Sequence, residues 1–140
     1  RVMTLAFHPS GRLLVAAADN ELRVFDVASG RSSLRMRTGP TGRNTPTTTC
    51  GLLFLSDYTV VSADSRGKTC FWDGQRTGAL KTELTLHAAP TLALAVSADE
   101  ETVYCAGVDP QIHLCRVAER RDDGASTKWV RTVKRQLHEH

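Results

Sequence analysis

Apolar residues in this chain occur in short runs that polar turn residues separate. The first series contains VMTLAF, the turn HPSG, RLLVAAA, a turn at Asp19 and Asn20, and ELRVFDVASG. A second series contains CGLLFL, YTVVSA and KTCFWD, and a third contains TLALAV, TVYCAG and QIHLCRV. Short apolar runs bounded by Gly, Pro, Asn, Asp and Ser predict β-strands joined by tight turns. The pattern therefore predicts an all-β chain and indicates no helix.

The three series come into register when Asp26, Asp73 and Arg116 are aligned. Asp26 and Asp73 lie 47 residues apart, and Asp73 and Arg116 lie 43 apart. Both spacings are close to the period of about 40 to 45 residues that is typical of a four-stranded propeller blade. A more polar fourth segment follows each series: RSSLRMRT, TGALKTELTLH and TKWVRTVKRQLH. Continuous apolar runs are expected for sheets buried on both faces, and a charged fourth strand is expected at the outer edge.

The repeat predicts a β-propeller fragment of about three four-stranded blades, at roughly residues 1–37, 47–87 and 90–136. Such a propeller closes only when further blades complete the ring. We therefore expect the chain to be part of a larger one, and its first residue, Arg1 rather than methionine, agrees with this expectation.

The segment KTCFWDGQRTG resembles the third strand of a WD-repeat blade. The resemblance implies that Trp72 is wedged between neighbouring sheets, whereas Phe71 faces the opposite way. It also implies that Phe25 and Asp26 are conservative replacements, in the first series, for the pair Trp72 and Asp73. The third series carries Cys115 and Arg116 there instead.

The WD-repeat resemblance further implies a buried hydrogen-bond set of a turn aspartate, a strand serine or threonine, a loop histidine and the tryptophan. Such bonds satisfy buried polar groups that otherwise cost roughly 1 to 3 kcal/mol each. No series carries all four groups. The second has Trp72 and a candidate Ser62, but Arg66 stands at the aspartate position and Asp64 is displaced by two residues. The structural repeat positions are Asp19, Phe25, Asp26, Trp72, Asp73, His87 and Asp109.

Three stretches are similar to WD-repeat subunits of the nucleolar small-subunit processome: Phe54 to Asp73, Val24 to Gly30, and Lys128 to His140. This resemblance implies a scaffold subunit of the nucleus and nucleolus, without catalysis or cofactor. It also implies contacts with other processome subunits and with the ribosomal RNA precursor, in support of precursor processing and small-subunit assembly. The alternative is a WD-repeat substrate receptor or adaptor of a ubiquitin ligase or chromatin complex. That interpretation requires peptide-binding arginines or aromatics at the central loops.

The formal net charge is only +3, but two segments are strongly basic. Residues 31–43 carry a charge of +4 without an acid, and residues 116–135 carry another +4. Basic side chains that neutralise phosphates release counterions and favour RNA binding. Lysine and arginine on an outer strand also block edge-to-edge aggregation, so both interpretations stay open. The candidate RNA- or partner-binding residues are Arg35, Arg37, Arg43, Lys128, Arg131, Lys134 and Arg135.

The cysteines and histidines give little support for a metal or a catalytic site. Cys50, Cys70, Cys105 and Cys115 lie in apolar runs without CxxC spacing, which favours reduced, buried thiols. A metal site made from Cys105, His113 and Cys115 lacks an evident fourth ligand, so we expect no metal.

Enzyme and membrane functions are not indicated either. The chain has no GxSxG elbow and no glycine-rich phosphate loop before a helix, so we expect no small-molecule substrate. No apolar run approaches the roughly 18 residues that cross a bilayer, and no secretory signal is recognisable.

Overall fold

The computed structural model describes residues 1–119 and 128–136 and contains three four-stranded antiparallel sheets. It describes only the backbone of Ala118, Glu119, Lys128 and residues 132–136. The first sheet contains β1 (Val2–Phe7), β2 (Leu13–Ala18), β3 (Glu21–Asp26) and β4 (Ser32–Arg37). The second contains β5 (Thr49–Phe54), β6 (Thr59–Asp64), β7 (Lys68–Asp73) and β8 (Leu80–Thr85). The third contains β9 (Thr91–Val96), β10 (Thr102–Gly107), β11 (Gln111–Glu119) and β12 (Lys128–Gln136).

Each sheet keeps its strands in chain order, so every strand pairs with the next one through a short connection. The polar turns of the sequence explain these hairpins. For example, Asn20 adopts a φ of 66° between β2 and β3, a left-handed conformation that asparagine tolerates well. The prediction of an all-β fold with four-stranded WD-repeat blades is confirmed. The proposed blade limits of 1–37, 47–87 and 90–136 stay a prediction.

The three sheets are arranged around their first strands. Strand β1 contacts β5, and β5 contacts β9. The fourth strands β4, β8 and β12 form the opposite edge of each sheet. This is the radial order expected of propeller blades, with the polar fourth strands outermost.

The second sheet is buried on both faces, because the other two sheets pack against it. Every residue of β6 is buried. Val60 and Trp72 belong to an apolar cluster shared with the first sheet, which also includes Val15 and Val24. Their sequence neighbours Val61 and Phe71 belong to a second cluster. The two-residue period of a strand thus sends alternate side chains into two different cores, as the sequence predicts for Trp72 and Phe71.

The second core lies between the second and third sheets. Phe71 stacks on Trp129 of β12, with ring centroids 4.7 Å apart and planes at 16°. Val103, Cys105 and Cys115 from the third sheet complete the cluster. Strand β12 therefore contributes a large buried ring to the interface as well as an outer edge.

The first and third sheets each leave apolar side chains uncovered. Leu5 and Phe7 on β1 are 57% and 61% exposed, and Tyr104 on β10 is 40% exposed. The sequence predicts burial of the inner strands on both faces, but in this chain only the second sheet has a neighbour on each side. Within the described residues, no helix is long and apolar enough to span a membrane.

Trp72 also makes a polar contact inside the first core. Its ring is 3% exposed, and its indole Nε1 donates a hydrogen bond of 2.9 Å to the Ser62 hydroxyl. Ser62 is fully buried. The candidate partnership between Trp72 and Ser62 is thus present in the structure.

We expect Ser62→Ala to lower the free energy of unfolding by about 1 to 3 kcal/mol, because Trp72 Nε1 would be buried without an acceptor. Denaturant unfolding of the full-length protein measures this as a lower midpoint at an unchanged slope. Ser32→Ala, on the exposed part of β4, is the matched control and should change stability by at most about 0.5 kcal/mol. Equal effects of the two substitutions would contradict a role for the buried bond.

Candidate interaction surface

The turns and connections of the three sheets form two rims. We define the upper rim as the turns β2–β3, β6–β7 and β10–β11 together with the connections 38–48 and 86–90. Backbone and side-chain bonds join these pieces between neighbouring sheets. The Asn20 amide donates to the Thr47 carbonyl at 3.0 Å, and the Thr47 amide donates to Asn20 Oδ1 at 2.7 Å. The upper rim is therefore fixed by hydrogen bonds between blades.

Gly67, in the β6–β7 turn, binds the start of the connection 86–90, which leads from the second sheet to the third. The amides of Leu86 and His87 both donate to the Gly67 carbonyl at 3.2 Å. Gly67 has a φ of 80°, and a Cβ atom there would overlap the His87 carbonyl oxygen. Only glycine allows this close approach, and it positions the histidine of the third blade.

We define the lower rim as the other turns within the described residues, namely β1–β2, β3–β4, β5–β6, β7–β8 and β9–β10. Three successive turns are connected there. His8 Nε2 lies 3.3 Å from the Ser56 carbonyl, and the Ser56 amide and hydroxyl each donate to the Glu100 carboxylate at 3.0 Å. The His8 ring also stacks on Tyr58, with centroids 4.2 Å apart. The lower rim is thus held together across all three blades.

Asp26 and Asp73, two of the repeat positions, close the hairpin turns that follow β3 and β7. Asp26 accepts hydrogen bonds from the amide and hydroxyl of Ser29 at 2.8 and 3.1 Å. Asp73 accepts from three amides of its turn and from the Thr77 hydroxyl at 2.9 Å. These bonds lower the pKa of both carboxyls; for Asp73 they outweigh burial, which opposes the charge. The aspartate of the Trp-Asp pair therefore stabilises a turn.

Among the candidate binding residues, Arg35 is paired with an acid of the neighbouring strand β3. Arg35 Nε lies 3.1 Å from one oxygen of Glu21, and Arg23 Nε lies 3.0 Å from the other. Both arginines are substantially exposed, so these ion pairs contribute little stability. Arg35 is thus partly neutralised and is a weaker candidate for binding phosphate.

Arg37 and Arg43 are exposed, and within the described part of the chain neither makes an ion pair. Arg37 ends β4 opposite Glu21, and Arg43 lies in the connection 38–48, so both belong near the upper rim. Arg131 is exposed in the middle of β12.

The backbone register also locates the remaining candidates. Lys134 and Arg135 pair with His113 and Ile112, close to the upper rim, whereas Lys128 pairs with Glu119 near the other end. The side chains of Lys128, Lys134 and Arg135 lie outside the described residues. The structure does not bring the two basic segments together, because β4 and β12 belong to sheets that the second sheet separates. The role of all these residues in binding stays a prediction.

The second blade is locally charge-balanced. Arg66 Nη2 lies 2.7 Å from Asp64 Oδ2, and Arg66 and Lys68 share Glu83 at 3.8 and 2.9 Å. Asp64 is fully buried. Burial alone would lower the pKa of Arg66, but the bond to Asp64 outweighs it and raises the pKa. Arg66, at the expected aspartate position, therefore binds the displaced Asp64 directly.

In the third blade the repeat positions His87 and Asp109 meet. His87 Nδ1 lies 2.8 Å from each carboxylate oxygen of Asp109, and His87 is 3% exposed. Burial opposes charge on both groups, but their mutual hydrogen bond outweighs it. The pKa of His87 is therefore raised and that of Asp109 is lowered.

The cysteines are free thiols, with Cys50 partly exposed and the other three buried. Cys105 pairs with His113 across β10 and β11, and Cys115 faces the same side as His113. Within residues 1–119 and 128–136, no group of three or more His, Cys, Asp or Glu side chains has a geometry that suits a metal ion.

Three sheets that converge on their first strands, with a buried Trp-Asp strand in the middle one, define WD-repeat propeller blades. A family model described as "WD domain, G-beta repeat" matches residues 1–26, in the first sheet. The turn-closing aspartates and the Trp72–Ser62 bond agree with this class.

The similarity to known proteins extends along the whole chain. The chain is 30% identical, over 100% of its length, to the U3 small nucleolar RNA-associated protein 4 homolog of Homo sapiens. It is 29% identical over 100% to the U3 small nucleolar RNA-associated protein 4 of Schizosaccharomyces pombe, and 25% identical over 99% to that of Saccharomyces cerevisiae. The chain spans about a fifth of these relatives, 21%, 19% and 18% respectively. The human protein is also called cirhin, and the resemblance seen in the sequence is confirmed.

We expect Asp64→Asn to destabilise the protein by about 1.5 to 3 kcal/mol, because it removes the nearest and fully buried anion of the Arg66 guanidinium and leaves only the more distant Glu83. Glu21→Gln is the matched control, since Glu21 pairs with exposed arginines, and it should cost at most about 1 kcal/mol. Urea unfolding of both variants measures the difference. Similar losses for the two substitutions would show that the buried pair has no special importance.

We expect the stabilisation from His87 and Asp109 to depend on pH. The raised pKa of His87 contributes stability that is complete below its ordinary value of 6.5 and is lost as the pH rises through the folded value. The lowered pKa of Asp109 contributes stability that is complete above 3.8 and is lost as the pH falls through its folded value. The melting-temperature loss caused by His87→Asn should therefore be greatest between about pH 4 and 6.5. A loss that stays constant from pH 4 to 9 would contradict the ion pair.

Proposed function

We propose that this chain is part of a non-catalytic scaffold subunit of the nucleolar small-subunit processome, which supports ribosomal RNA precursor processing. The observation that carries the proposal is the similarity along the whole chain to U3 small nucleolar RNA-associated protein 4 from three organisms. A protein associated with that small nucleolar RNA acts where the precursor is processed. We accordingly propose the nucleolus as its location and processome subunits as its protein partners.

The fold supports a scaffold role because it fixes the binding surface before any partner arrives. Bonds from Asn20 to Thr47 and between His87 and Asp109 join successive blades at the upper rim. Bonds from Ser56 to Glu100 do the same at the lower rim. Loops held on a rigid scaffold can present binding residues without loss of conformational freedom.

We further propose that the upper rim contacts RNA phosphates. Arg37 and Arg43 are exposed there and, within the described residues, have no acidic partner. The strand register places Lys134 and Arg135 toward the same rim. The basic residues are on separate blades, so binding would be multivalent, with several moderate interactions acting together at high effective concentration.

We expect reversing four charges, Arg37→Glu, Arg43→Glu, Lys134→Glu and Arg135→Glu, to weaken crosslinking of the full-length protein to precursor RNA. For every phosphate that is no longer neutralised, the slope of log affinity against log salt should fall by about 0.7 to 0.9. Arg12→Glu with Arg31→Glu is the control, because these exposed arginines lie on the lower rim and each undergoes the same charge reversal.

Two outcomes would contradict the proposal. Unchanged crosslinking in the four-charge variant would show that the upper rim does not bind RNA. The basic residues would then serve to block edge-to-edge aggregation of the outer strands. Affinity purification that recovers ubiquitin ligase or histone-modifying subunits, without nucleolar assembly factors, would contradict the scaffold role itself.

A further inference from the structure

The connection 38–48 contains the one hydroxyl residue of the sequence that directly precedes a proline, Thr45 before Pro46. Both residues are exposed. Proline has no amide N–H, and the residue before it is biased toward an extended backbone. Protein kinases of the proline-directed class select an accessible hydroxyl in extended backbone that is followed by a residue without this donor. Thr45 and Pro46 therefore have the chemistry of a phosphorylation site.

A tight turn presents Thr45 at the surface of the upper rim. Thr45 forms an antiparallel bridge with Gly42, and its amide donates to the Gly42 carbonyl at 3.2 Å. Its carbonyl accepts a hydrogen bond of 2.9 Å from the Thr41 amide. Asn44, at the tip of the turn, has a φ of 64°, a left-handed conformation that asparagine tolerates. The turn is thus closed by the backbone groups of Thr45 and not by its side chain.

The bonds that fix the connection to the blades also leave the Thr45 hydroxyl out. The hydroxyls of Thr41 and Thr47 lie 3.0 Å apart, and the amide of the fully buried Thr47 donates to Asn20. In the part of the chain that the structure describes, the Thr45 hydroxyl makes no hydrogen bond. Loop tips of this kind open locally at small cost. A kinase can therefore bind residues 42–46 while the bonds between blades stay in place.

A phosphate on Thr45 would lie in the basic part of the upper rim. Arg43 is two residues away in the same turn, and Arg37 ends β4 near the same rim. Both are exposed, and neither has an acidic partner among the described residues. A phosphothreonine carries about −1.5 to −2 charges at pH 7, and arginine binds its oxygens through two parallel N–H donors. One phosphate is therefore enough to offset the charge of Arg37 and Arg43.

We propose that Thr45 is a phosphorylation site for a proline-directed kinase, and that its phosphate weakens the contact between the upper rim and RNA. The second part rests on the proposed function, in which Arg37 and Arg43 neutralise RNA phosphates. The phosphate on Thr45 competes with RNA for Arg43 and repels the RNA backbone. Phosphorylation thus regulates the RNA contact without a change in the fold.

The reaction is a phosphoryl transfer from ATP, which the kinase binds. The Thr45 hydroxyl oxygen attacks the γ-phosphorus, a new O–P bond forms, and the bond from the γ-phosphorus to its bridging oxygen breaks. ADP leaves with that oxygen. The hydroxyl proton passes to the catalytic aspartate of the kinase and then to water.

The first test treats the full-length protein with ATP and a purified proline-directed kinase and locates phosphate by mass spectrometry. We expect phosphate on Thr45 of the wild type and its loss in Pro46→Ala, which keeps the hydroxyl but restores an amide N–H. Absence of phosphate on Thr45, or equal phosphorylation of Pro46→Ala, would overturn the proposal. This measurement does not depend on RNA binding.

The second test compares the affinity of the full-length protein for precursor RNA before and after phosphorylation. At about 0.1 M salt the affinity should fall about fivefold for each phosphate contact that is lost, and the slope of log affinity against log salt should fall by about 0.7 to 0.9. Thr45→Ala, treated with the same kinase and ATP, is the matched control, because it keeps every other acceptor of the full-length protein. Its affinity should not change.

The failure of this inference differs from the failure of the proposed RNA contact. Loss of crosslinking in the four-charge variant, with unchanged affinity after phosphorylation of Thr45, would overturn the inference and leave the RNA contact in place. Unchanged RNA binding in both experiments would overturn both. Equal losses of affinity in the wild type and in Thr45→Ala would assign the effect to another residue and would also overturn the inference.

Discussion

The structure depends on the burial of sheet faces that no single blade can cover by itself. Val60 and Trp72 point from the second sheet toward the first, and Val61 and Phe71 point toward the third. A four-stranded sheet with apolar side chains on both faces is stable only between two neighbours. The stacking of blades follows from this pattern, and so does the position of each rim.

Stacking removes polar side chains from water, and the blades pair several of these side chains in different ways. The second blade uses Trp72 with Ser62 and Arg66 with Asp64. The third uses His87 with Asp109. In each blade the side chain at a repeat position is thus paired with the partner that the blade provides.

The strands and their order were predictable, since hydrophobic period and turn residues are local features of the sequence. The direction of Trp72 was predictable from the WD-repeat resemblance. The Trp72–Ser62 bond was also predictable, because the WD-repeat resemblance implies a bond between a strand serine and the tryptophan. The bond between Arg66 and Asp64 was not, since the two side chains turn toward each other only in the folded turn. Neither was the neutralisation of Arg35 by Glu21, which depends on strand register. Hydrophobic periodicity predicts which face of a strand a side chain occupies, but it does not predict which charged side chains pair with each other.

The arrangement of the blades as radial neighbours underlies both the proposed scaffold role and the two rims. Short-span crosslinking between Ser56→Cys and Glu100→Cys tests it most directly, because these turns are hydrogen-bonded between the second and third blades. Radial stacking predicts efficient crosslinking of this pair in the full-length protein, and none between Glu100→Cys and Ser65→Cys, which lies just beyond the far end of β6 on the upper rim. Crosslinking of the second pair in place of the first would contradict the radial order.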